Sequence, residues 1–336
     1  MRLSVFDEAP AGLETRDAHE IGGLLDGPSL IRLNGGGERP LFISALLHGN
    51  ETTSWDVARE LISRARTGSL EKPILLFVGN IPAAAAKKRY IAGQLDYNRI
   101  WSGGDRPEHR LADEALRIIR DARPFAIIDI HNNTGRNPLY SCVNRLEPAH
   151  LHLASMFSDI AVYYTNPPSA LSIACSGFAP SIAVECGKSG DREGFGRALG
   201  LVEQAMAAAS FHGDFAHAPR LSLYHTLGRV VLDGGASFSF DGASADAMIA
   251  PGLEDWNFTI VDVDRVWARV STPVSPLRVI DESGADVTDN FFRRDADEIR
   301  LKEPATPAML SVDRDNARLD CLGYLMEPID VAGRSA

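Results

Sequence analysis

The chain has 336 residues, of which 45% are hydrophobic and 24% are charged, a composition that predicts a soluble globular protein with a sizeable core rather than a disordered or collagen-like chain. Its 34 basic and 45 acidic residues give a formal net charge of −11, which argues against nucleic acid or an anionic membrane as a partner, because phosphate binding needs a basic surface. An anionic substrate would therefore have to be bound by locally placed arginines.

The first two thirds of the chain alternate between short apolar strands and amphipathic helices. Strands are predicted at residues 41–47, 74–78, 125–130, 139–143, 160–164 and 181–184, and helices at 51–65, 107–122 and 193–211. Pro107 suits the first turn of its helix. This alternation indicates an α/β layer fold with a largely buried sheet.

After about residue 215 the pattern changes to strand-like segments separated by Gly, Pro, Asp and Asn. These segments are residues 221–232, 237–240, 258–263, 266–270, 277–280 and 321–326. Because the length also suggests more than one domain, we predict a catalytic domain over residues 1–215 and a smaller β-rich domain over 216–336.

Cysteine usage and the N terminus both favour the cytoplasm. The four cysteines are widely spaced and form no C-x-x-C pair, so reduced thiols are expected. Residues 1–8 become acidic without an apolar stretch, so no signal peptide is predicted. The longest apolar runs are strand-sized, and no membrane span is expected.

A candidate metal site begins at the end of the first predicted strand, in the sequence L-L-H-G-N-E. Here His48 and Glu51 form an H-x-x-E pair at a corner between a strand and a helix. Imidazole nitrogen and carboxylate oxygen both suit zinc, which in catalytic sites takes three protein ligands and a water. The alternative is an ordinary helix start with Glu51 favoured by the helix dipole.

A second histidine follows another apolar strand, in the sequence I-D-I-H-N-N. His131 stands at the carboxyl end of that strand, where open α/β sheets place their ligands. Asp129 could accept the N–H of a ligating imidazole and fix its tautomer; alternatively, the two side chains simply pair at a strand end. Together with His48 and Glu51, His131 completes a set of two histidines and one carboxylate.

Two further segments carry candidate polar groups. The loop after residues 74–78 contains Arg89 and Arg99, and arginines in such loops suit carboxylate binding or the stabilisation of an oxyanion, although a solvated basic loop is the alternative. Glu185 ends an apolar strand, where burial would raise its pKa towards that of a general base. Its alternative role is an ion pair with Lys188.

Other chemistries lack their motifs. The sequence contains neither G-x-S-x-G nor G-x-x-x-x-G-K-[ST], so a serine hydrolase with a nucleophile elbow and a P-loop nucleotide site are not expected. His150 and His152 are predicted to be surface residues.

Taken in order, the motifs H-x-x-E, R-Y-I…D-Y-N-R, D-x-H-N and V-E-x-G over about residues 40–200 resemble the succinylglutamate desuccinylase/aspartoacylase family of the zinc carboxypeptidase superfamily. The resemblance implies a three-layer α/β/α domain with a mixed central sheet, followed by a small β-rich C-terminal domain. It also implies a deacylase that hydrolyses the amide bond of a small anionic N-acyl amino acid. Since members of this family are often oligomeric, a homo-oligomer is compatible with the resemblance.

The resemblance assigns the metal and catalytic residues. It implies that each subunit holds one zinc through His48, Glu51 and His131. It further implies that Glu185 activates a water and later protonates the leaving amine, while Arg89 polarises the scissile carbonyl.

The substrate residues follow from the same resemblance. Asn98 and Arg99 would hold the α-carboxylate of the amino acid, and Asn132 is a further candidate substrate contact. Lys188 and Arg136 are additional cationic candidates near these motifs in sequence.

The sequence departs from the family pattern in a way that leaves the acyl group undefined. Aspartoacylases carry an arginine shortly before the catalytic glutamate, but no arginine occurs between Arg145 and Arg192 here. Two other functions therefore stay open at this point: a carboxypeptidase-like exopeptidase acting on peptides or glutamate tails, and a non-catalytic binding relative.

Overall fold

The computed structural model describes residues 2–211 and 221–330, so the predicted domain boundary at residues 215/216 lies outside the described residues. The chain divides into two compact units. The first comprises Met1–Asn132 and Leu139–Ser222, and the second comprises Asn133–Pro138 and Leu223–Ala336. The short segment 133–138 thus leaves the first unit between two of its strands, an excursion that the sequence pattern does not reveal.

The first unit combines strands with six α-helices over its described residues. Its strands are β1 (Ser4–Phe6), β2 (Ser29–Leu33), β3 (Leu41–Ala45), β4 (Ile74–Val78), β5 (Ala126–His131), β6 (Tyr140–Val143), β7 (Ile160–Tyr163) and β8 (Ser181–Glu185). Its helices are α1 (Thr53–Arg66), α2 (Ile81–Ala85), α3 (Pro107–Asp121), α4 (Pro148–Ser155), α5 (Leu171–Cys175) and α6 (Arg192–Ala207). The short strands β1 and β2 are additional to the predicted ones.

These strands form a mixed sheet in the order β1-β2-β4-β3-β5-β8-β6-β7. Strands β4, β3, β5 and β8 are parallel neighbours, whereas β2 pairs antiparallel with β4 and β6 pairs antiparallel with β8. The central strands β3, β4, β5 and β8 are buried along their whole length. Burial on both faces explains why they are continuous apolar runs rather than alternating ones.

Helices cover both faces of this sheet. On one face α3 and α5 pack against Phe42, Phe77 and Ile127 in a common apolar cluster. Because side chains alternate along a strand, Ile43 and Ile128 point to the opposite face, where α1 and α6 pack against each other and against the sheet. The carboxyl ends of β3, β5 and β8 are therefore neighbours at one edge between the helical layers.

The second unit is built mainly from strands. These are β9 (Ser222–Leu232), β10 (Phe238–Ser239), β11 (Ala247–Ile249), β12 (Val266–Val270), β13 (Leu277–Ile280), β14 (Phe292–Asp295), β15 (Glu298–Leu301), β16 (Thr306–Ala308) and β17 (Gly323–Ile329), with two short helices, α7 (Thr288–Phe291) and α8 (Arg314–Leu319). One sheet has the order β10-β11-β12-β15-β14, and in the other β9 pairs with both β13 and β17. Trp267 lies fully buried in the core of this unit.

One predicted strand is wrong. Residues 258–263 form a turn region, in which only Val261 makes a bridge, to Ala305. Phe258 adopts a φ of 56°, and the N–H of Thr259 donates to the carbonyl of Trp256, so the backbone cannot continue in extended form. Ile260, which completes the apolar pattern, is 79% exposed.

Among the described residues, no helix combines the length and the apolar character needed to cross a membrane.

Candidate metal centre

The position of His48 depends on a sharp turn after β3. Leu46 has a φ of 55°, which is an uncommon backbone conformation for a branched residue and is found where surrounding contacts enforce it. Here the Leu46 carbonyl accepts the N–H of Asn80, and the Leu46 N–H donates to the hydroxyl of Ser54. The turn directs the chain away from the sheet, so that His48 and Glu51 precede α1 at the carboxyl edge of the strands.

His48, Glu51 and His131 meet in one buried cluster. Nδ1 of His48 lies 2.7 Å from Oε1 of Glu51, and Nδ1 of His131 lies 2.8 Å from Oε2 of the same carboxylate. One ligand atom from each residue falls within 4.8 Å of the others, and the three residues are only 2%, 6% and 4% exposed. Glu51 therefore stands between two imidazoles, one from the turn after β3 and one from the end of β5.

The outer nitrogen of each imidazole contacts an aspartate. Nε2 of His48 lies 2.8 Å from Oδ1 of Asp96, and Nε2 of His131 lies 2.8 Å from Oδ2 of Asp129. The hydroxyl of Ser44 donates to the other oxygen of Asp129. Because carboxylate oxygens only accept, each aspartate can hold a hydrogen on Nε2, and Nδ1 is then the nitrogen that can ligate a metal.

The charges of this cluster are strongly coupled. Burial by itself would lower the pKa of each imidazole, but the surrounding carboxylates outweigh it, so the pKa of His48 is raised and that of His131 is raised well above its ordinary value. Conversely, burial would raise the pKa of Glu51, yet the two imidazoles hold it well below its ordinary value.

This donor set fits a zinc ion. Two imidazole lone pairs facing a carboxylate at 2.7 and 2.8 Å would repel it unless a proton or a cation lay between them. Two nitrogens and one carboxylate oxygen are also a ligand set that catalytic zinc takes, and aspartates bonded to the outer imidazole nitrogens are the usual support for such ligands. The His48–Glu51–His131 cluster can therefore hold a metal.

Glu185 ends β8 directly beside this cluster. Its register partner on β5 is His131, and the N–H of the following residue, Cys186, donates to the His131 carbonyl. Glu185 is 8% exposed, and its Oε2 has no hydrogen-bond partner within the described residues. Burial raises its pKa to about 7; the imidazole of His131 opposes this rise and the carboxylate of Glu51 adds to it.

Arg89 also reaches the cluster. Its Nη1 lies 3.6 Å from Oε1 of Glu51, and its Nη2 lies 3.1 Å from Oδ2 of Asp96. The guanidinium is therefore held against the carboxylate side of the site, as a group that could stabilise negative charge there.

Asn98 and Arg99 follow on a short 3₁₀ turn, residues 97–99. Oδ1 of Asn98 accepts the N–H of Leu171, which fixes the amide so that Nδ2 lies 3.4 Å from Nε2 of His131. Nη1 of Arg99 donates to the backbone carbonyl of Asn98. The structure therefore places Asn98 beside the cluster and Arg99 next to it in the chain.

Asn132 is tied to protein groups on all sides. Its Nδ2 donates to the hydroxyl of Thr53 and to the carbonyl of Gly187, and its Oδ1 accepts from the N–H of Thr53 and the hydroxyl of Ser189. These bonds join the end of β5 to the start of α1 and to the turn after β8. They favour a positioning role, and the predicted contact with substrate stays a prediction.

The two additional cationic candidates lie in different places. Lys188 is an exposed residue of the turn after β8 in the first unit. Arg136 belongs to the second unit, where its guanidinium pairs with Asp255.

Sequence reasoning missed two residues that contact the site. Asp96 stands in the D-Y-N-R motif, two positions before Asn98, and contacts His48. Its acidic side chain in this motif is the sequence feature that could have indicated such a contact. Tyr140, only 1% exposed, is the register partner of Glu185 on β6, on the side opposite His131. Only strand pairing reveals the second neighbour.

The prediction that His150 lies at the surface is wrong, since it is 3% exposed. It sits in α4, whose apolar neighbours Leu151 and Leu153 are also buried. His152, two residues further along α4, is partly buried, and its Nδ1 lies 3.4 Å from the carbonyl oxygen of Phe211.

Comparison with known proteins agrees with this architecture. The family model described as the succinylglutamate desuccinylase/aspartoacylase catalytic domain matches residues 38–208, about half of the chain. A succinylglutamate desuccinylase of Yersinia enterocolitica is 34% identical over 94 residues, which is 27% of this chain and 28% of that protein. The chain thus aligns with less than a third of the length of this curated relative.

Solved structures share the fold across most of the chain. A succinylglutamate desuccinylase from Vibrio parahaemolyticus superposes with a TM-score of 0.61 at 13% identity, covering 90% of this chain and 86% of that one. Murine aminoacylase 3 superposes with a TM-score of 0.57 at 16% identity, covering 88% of this chain and 97% of that one.

These matches define the class first: the fold is of the zinc-carboxypeptidase type, an α/β/α arrangement around a mixed sheet with an added β-rich region, as predicted. Within that class, the match over residues 38–208 shows that the chain belongs to the succinylglutamate desuccinylase/aspartoacylase family. The resemblance read from the motifs is thereby confirmed.

Proposed function

We propose that this protein is a zinc-dependent amidohydrolase that cleaves the amide bond of a small N-acyl amino acid. The observation that carries the proposal is the buried His48–Glu51–His131 cluster with the unpartnered Oε2 of Glu185 beside it. Family membership and the names of the relatives support an acylated amino acid as the substrate.

The residues supply a proton path for hydrolysis. A zinc ion bound by the cluster would act as a Lewis acid and lower the pKa of a water molecule. Glu185, with a pKa of about 7, is suited to take a proton from that water at Oε2 and to deliver it to the nitrogen of the leaving amine. Both transfers use the same carboxylate, so its pKa must lie close to the working pH.

The cationic and amide groups would orient the substrate. Arg89 lies close enough to the cluster to stabilise the oxygen that becomes negative when water attacks the scissile carbonyl. Asn98 and Arg99 are proposed to hold the α-carboxylate, because a chain with a net charge of −11 offers an anion few other places.

We also propose that the protein works in the cytoplasm. Cys142, Cys175 and Cys186 are buried thiols. This is the state expected in a reducing compartment.

The test is a substrate panel on the purified protein with and without a zinc chelator. N-succinyl and N-acetyl amino acids with a free α-carboxylate are compared with the same compounds carrying an α-carboxamide. We expect the free acids to be hydrolysed, the amides to be much poorer substrates, and the activity to be lost on chelation and restored by zinc.

Two outcomes would replace the proposal. Preferential cleavage of dipeptides or glutamyl tails would make the protein an exopeptidase. Binding of N-acyl amino acids without any turnover, in protein shown to contain zinc, would make it a non-catalytic relative.

A further inference from the structure

One carboxylate, that of Asp96, is shared by three groups of the site. Its Oδ1 lies 2.8 Å from Nε2 of His48 and accepts the backbone N–H of Asn98 at 2.7 Å. Its Oδ2 accepts Nη2 of Arg89 at 3.1 Å. The Asp96 side chain is 15% exposed. The two oxygens thus connect a candidate metal ligand with the candidate carbonyl-polarising arginine.

The contact of Asp96 Oδ1 with His48 influences which ring nitrogen carries the hydrogen. An acceptor at Nε2 favours the tautomer with its hydrogen there, in which the Nδ1 lone pair can ligate a metal. Asp129 makes the same contact with His131 and was expected from sequence because it is only two residues away. Asp96 comes from a separate loop, 48 residues after His48, and completes a matched pair of supports.

The contact of Asp96 Oδ2 with Arg89 fixes the position of the guanidinium. That guanidinium lies 3.1 Å from Asp96 and 3.6 Å from Glu51. Glu51 is needed as a metal ligand, and a guanidinium that bonded fully to it would compete with the cation. The closer contact with Asp96 keeps Arg89 beside the cluster without occupying the Glu51 oxygen.

We propose that Asp96 is a positioning residue that couples the metal site to Arg89, holding His48 in its metal-binding tautomer and Arg89 in place for the scissile carbonyl. The inference rests on the proposed function for the role of Arg89, whereas its effect on metal binding does not require hydrolysis.

A competing explanation is that Asp96 merely caps the turn 97–99, through its bond to the N–H of Asn98. The variant Asp96→Asn separates the two roles. Asparagine caps helix starts about as well as aspartate, but it offers one acceptor oxygen and one NH₂ group. Its one oxygen can therefore accept hydrogen bonds either from His48 and Asn98 or from Arg89. Its NH₂ group must then face a hydrogen-bond donor on the other side.

The experiment measures the dissociation constant of zinc by competition with a fluorescent chelator, for wild type, Asp96→Asn and Asp313→Asn. Asp313 is the matched control, because it caps α8 in the second unit by accepting a backbone N–H at 2.8 Å. We expect Asp96→Asn to weaken zinc binding by about 10–100-fold, as for other supports of ligating histidines. The control should bind zinc and unfold in chelator like wild type, whereas Asp96→Asn should unfold at a lower urea concentration, because it loses a charged partner of His48 and Arg89.

A kinetic cycle tests the coupling to Arg89. With kcat/KM measured for wild type, Asp96→Asn, Arg89→Gln and the double variant at saturating zinc, the loss caused by Arg89→Gln should be at least about 5-fold smaller when Asp96 is already replaced.

Unchanged zinc affinity in Asp96→Asn, or additive kinetic losses, would overturn the proposal. Unchanged affinity would favour the capping role, because asparagine preserves the cap. A wild type that binds zinc but hydrolyses no N-acyl amino acid would instead overturn the proposed function, while the zinc affinities still decide the role of Asp96.

Discussion

Glu185 has a buried carboxylate oxygen without a hydrogen-bond partner among the described residues, which points to a chemical role. A buried carboxylate oxygen without a partner is destabilising, and native proteins retain few of them. Its register partners are His131 of the candidate metal cluster on one side and Tyr140 on the other, so the unpartnered oxygen lies beside that cluster.

The variant Glu185→Gln tests this role. It keeps the volume and removes the proton acceptor, so we expect kcat to fall by at least about 100-fold. Zinc content and the urea midpoint should be preserved or slightly raised, because a buried charge is removed. Steady-state kinetics, metal analysis and urea unfolding check these outcomes. A parallel loss of stability and activity would instead indicate that the carboxylate is a structural ion-pair partner.

Residue patterns in the sequence predict part of the candidate site. His48, Glu51, His131 and Glu185 follow from strand ends, because the carboxyl ends of neighbouring strands share an edge of the sheet. Asp96 was missed because its contact with His48 depends on the path of a loop, and no local spacing encodes that path.

At the scale of secondary-structure elements, the backbone around Gly49 is a close-packed junction. A Cβ at Gly49 would overlap the backbone of Ala83 and Ala84 at α2, and the Gly49 N–H donates to the carbonyl of Arg89. Glycine at this position, between the candidate ligands His48 and Glu51, lets the H-x-x-E segment pass directly against α2.

Gly49→Ala should therefore lower the free energy of unfolding by about 1–3 kcal/mol, the usual range for overpacking, and weaken zinc binding. Gly196→Ala is the control, because Gly196 lies within α6 and a Cβ there meets nothing within 4 Å. That control should stabilise the protein by about 0.4–1 kcal/mol. Urea unfolding and zinc titration provide the measurements. Wild-type stability and zinc affinity in Gly49→Ala would show that this close approach is not a constraint.

Helix α4 carries a pH-dependent contribution through His150. Burial lowers the pKa of His150, and the nearby Arg145 lowers it further while Glu147, 4.0 Å away, opposes the shift. The unfolded chain takes up this proton near the ordinary pKa of about 6.5, before the folded protein does. The contribution of His150 is therefore fully present above that pH and is lost as the pH falls below it.

We expect the difference in unfolding free energy between wild type and His150→Gln to shift against wild type on going from pH 7.5 to pH 5.5. The slope is at most about 1.4 kcal/mol per pH unit, the limit for one proton. Both proteins are unfolded with urea in chelator, so that the contributions of His48 and His131 cancel. Equal pH dependence in the two proteins would mean that His150 is protonated equally well in the folded state.

The elements with the clearest local sequence signals are the ones predicted best. The strand at residues 74–78 and the helix beginning at Pro107 match the structure closely, because continuous burial and a proline at the first turn are local signals. Residues 258–263 were predicted wrongly because their apolar content suggests a strand, whereas the turn at Phe258 is enforced by the N–H of Phe258 donating to the carbonyl of Pro307. Such a long-range contact is not encoded in the local pattern.

At the scale of the whole molecule, net charge and the location of positive groups must be considered together. A chain with a net charge of −11 repels anions in general, and the described part of the site nevertheless holds Arg89 within 3.6 Å of a ligand carboxylate. Under the proposed function, binding of an anionic substrate would therefore depend on a few local cations.

The division into two units was only partly predictable at this scale. The change from alternating strands and helices to strands alone indicates a second, β-rich region near residue 215. The assignment of Asn133–Pro138 to that second unit depends on tertiary contacts, such as the Met309 N–H donating to the side chain of Asn137.

The most direct test of the account is a zinc titration of the metal-free protein, with hydrolysis of an N-acyl amino acid as the readout. We expect no activity without zinc, a linear rise on titration, and a break at about one zinc per chain, whereas His131→Ala should show neither the break nor the activity. Full activity in the metal-free protein, or an unchanged titration curve in His131→Ala, would contradict the assignment of His48, Glu51 and His131 as the metal site of a hydrolase.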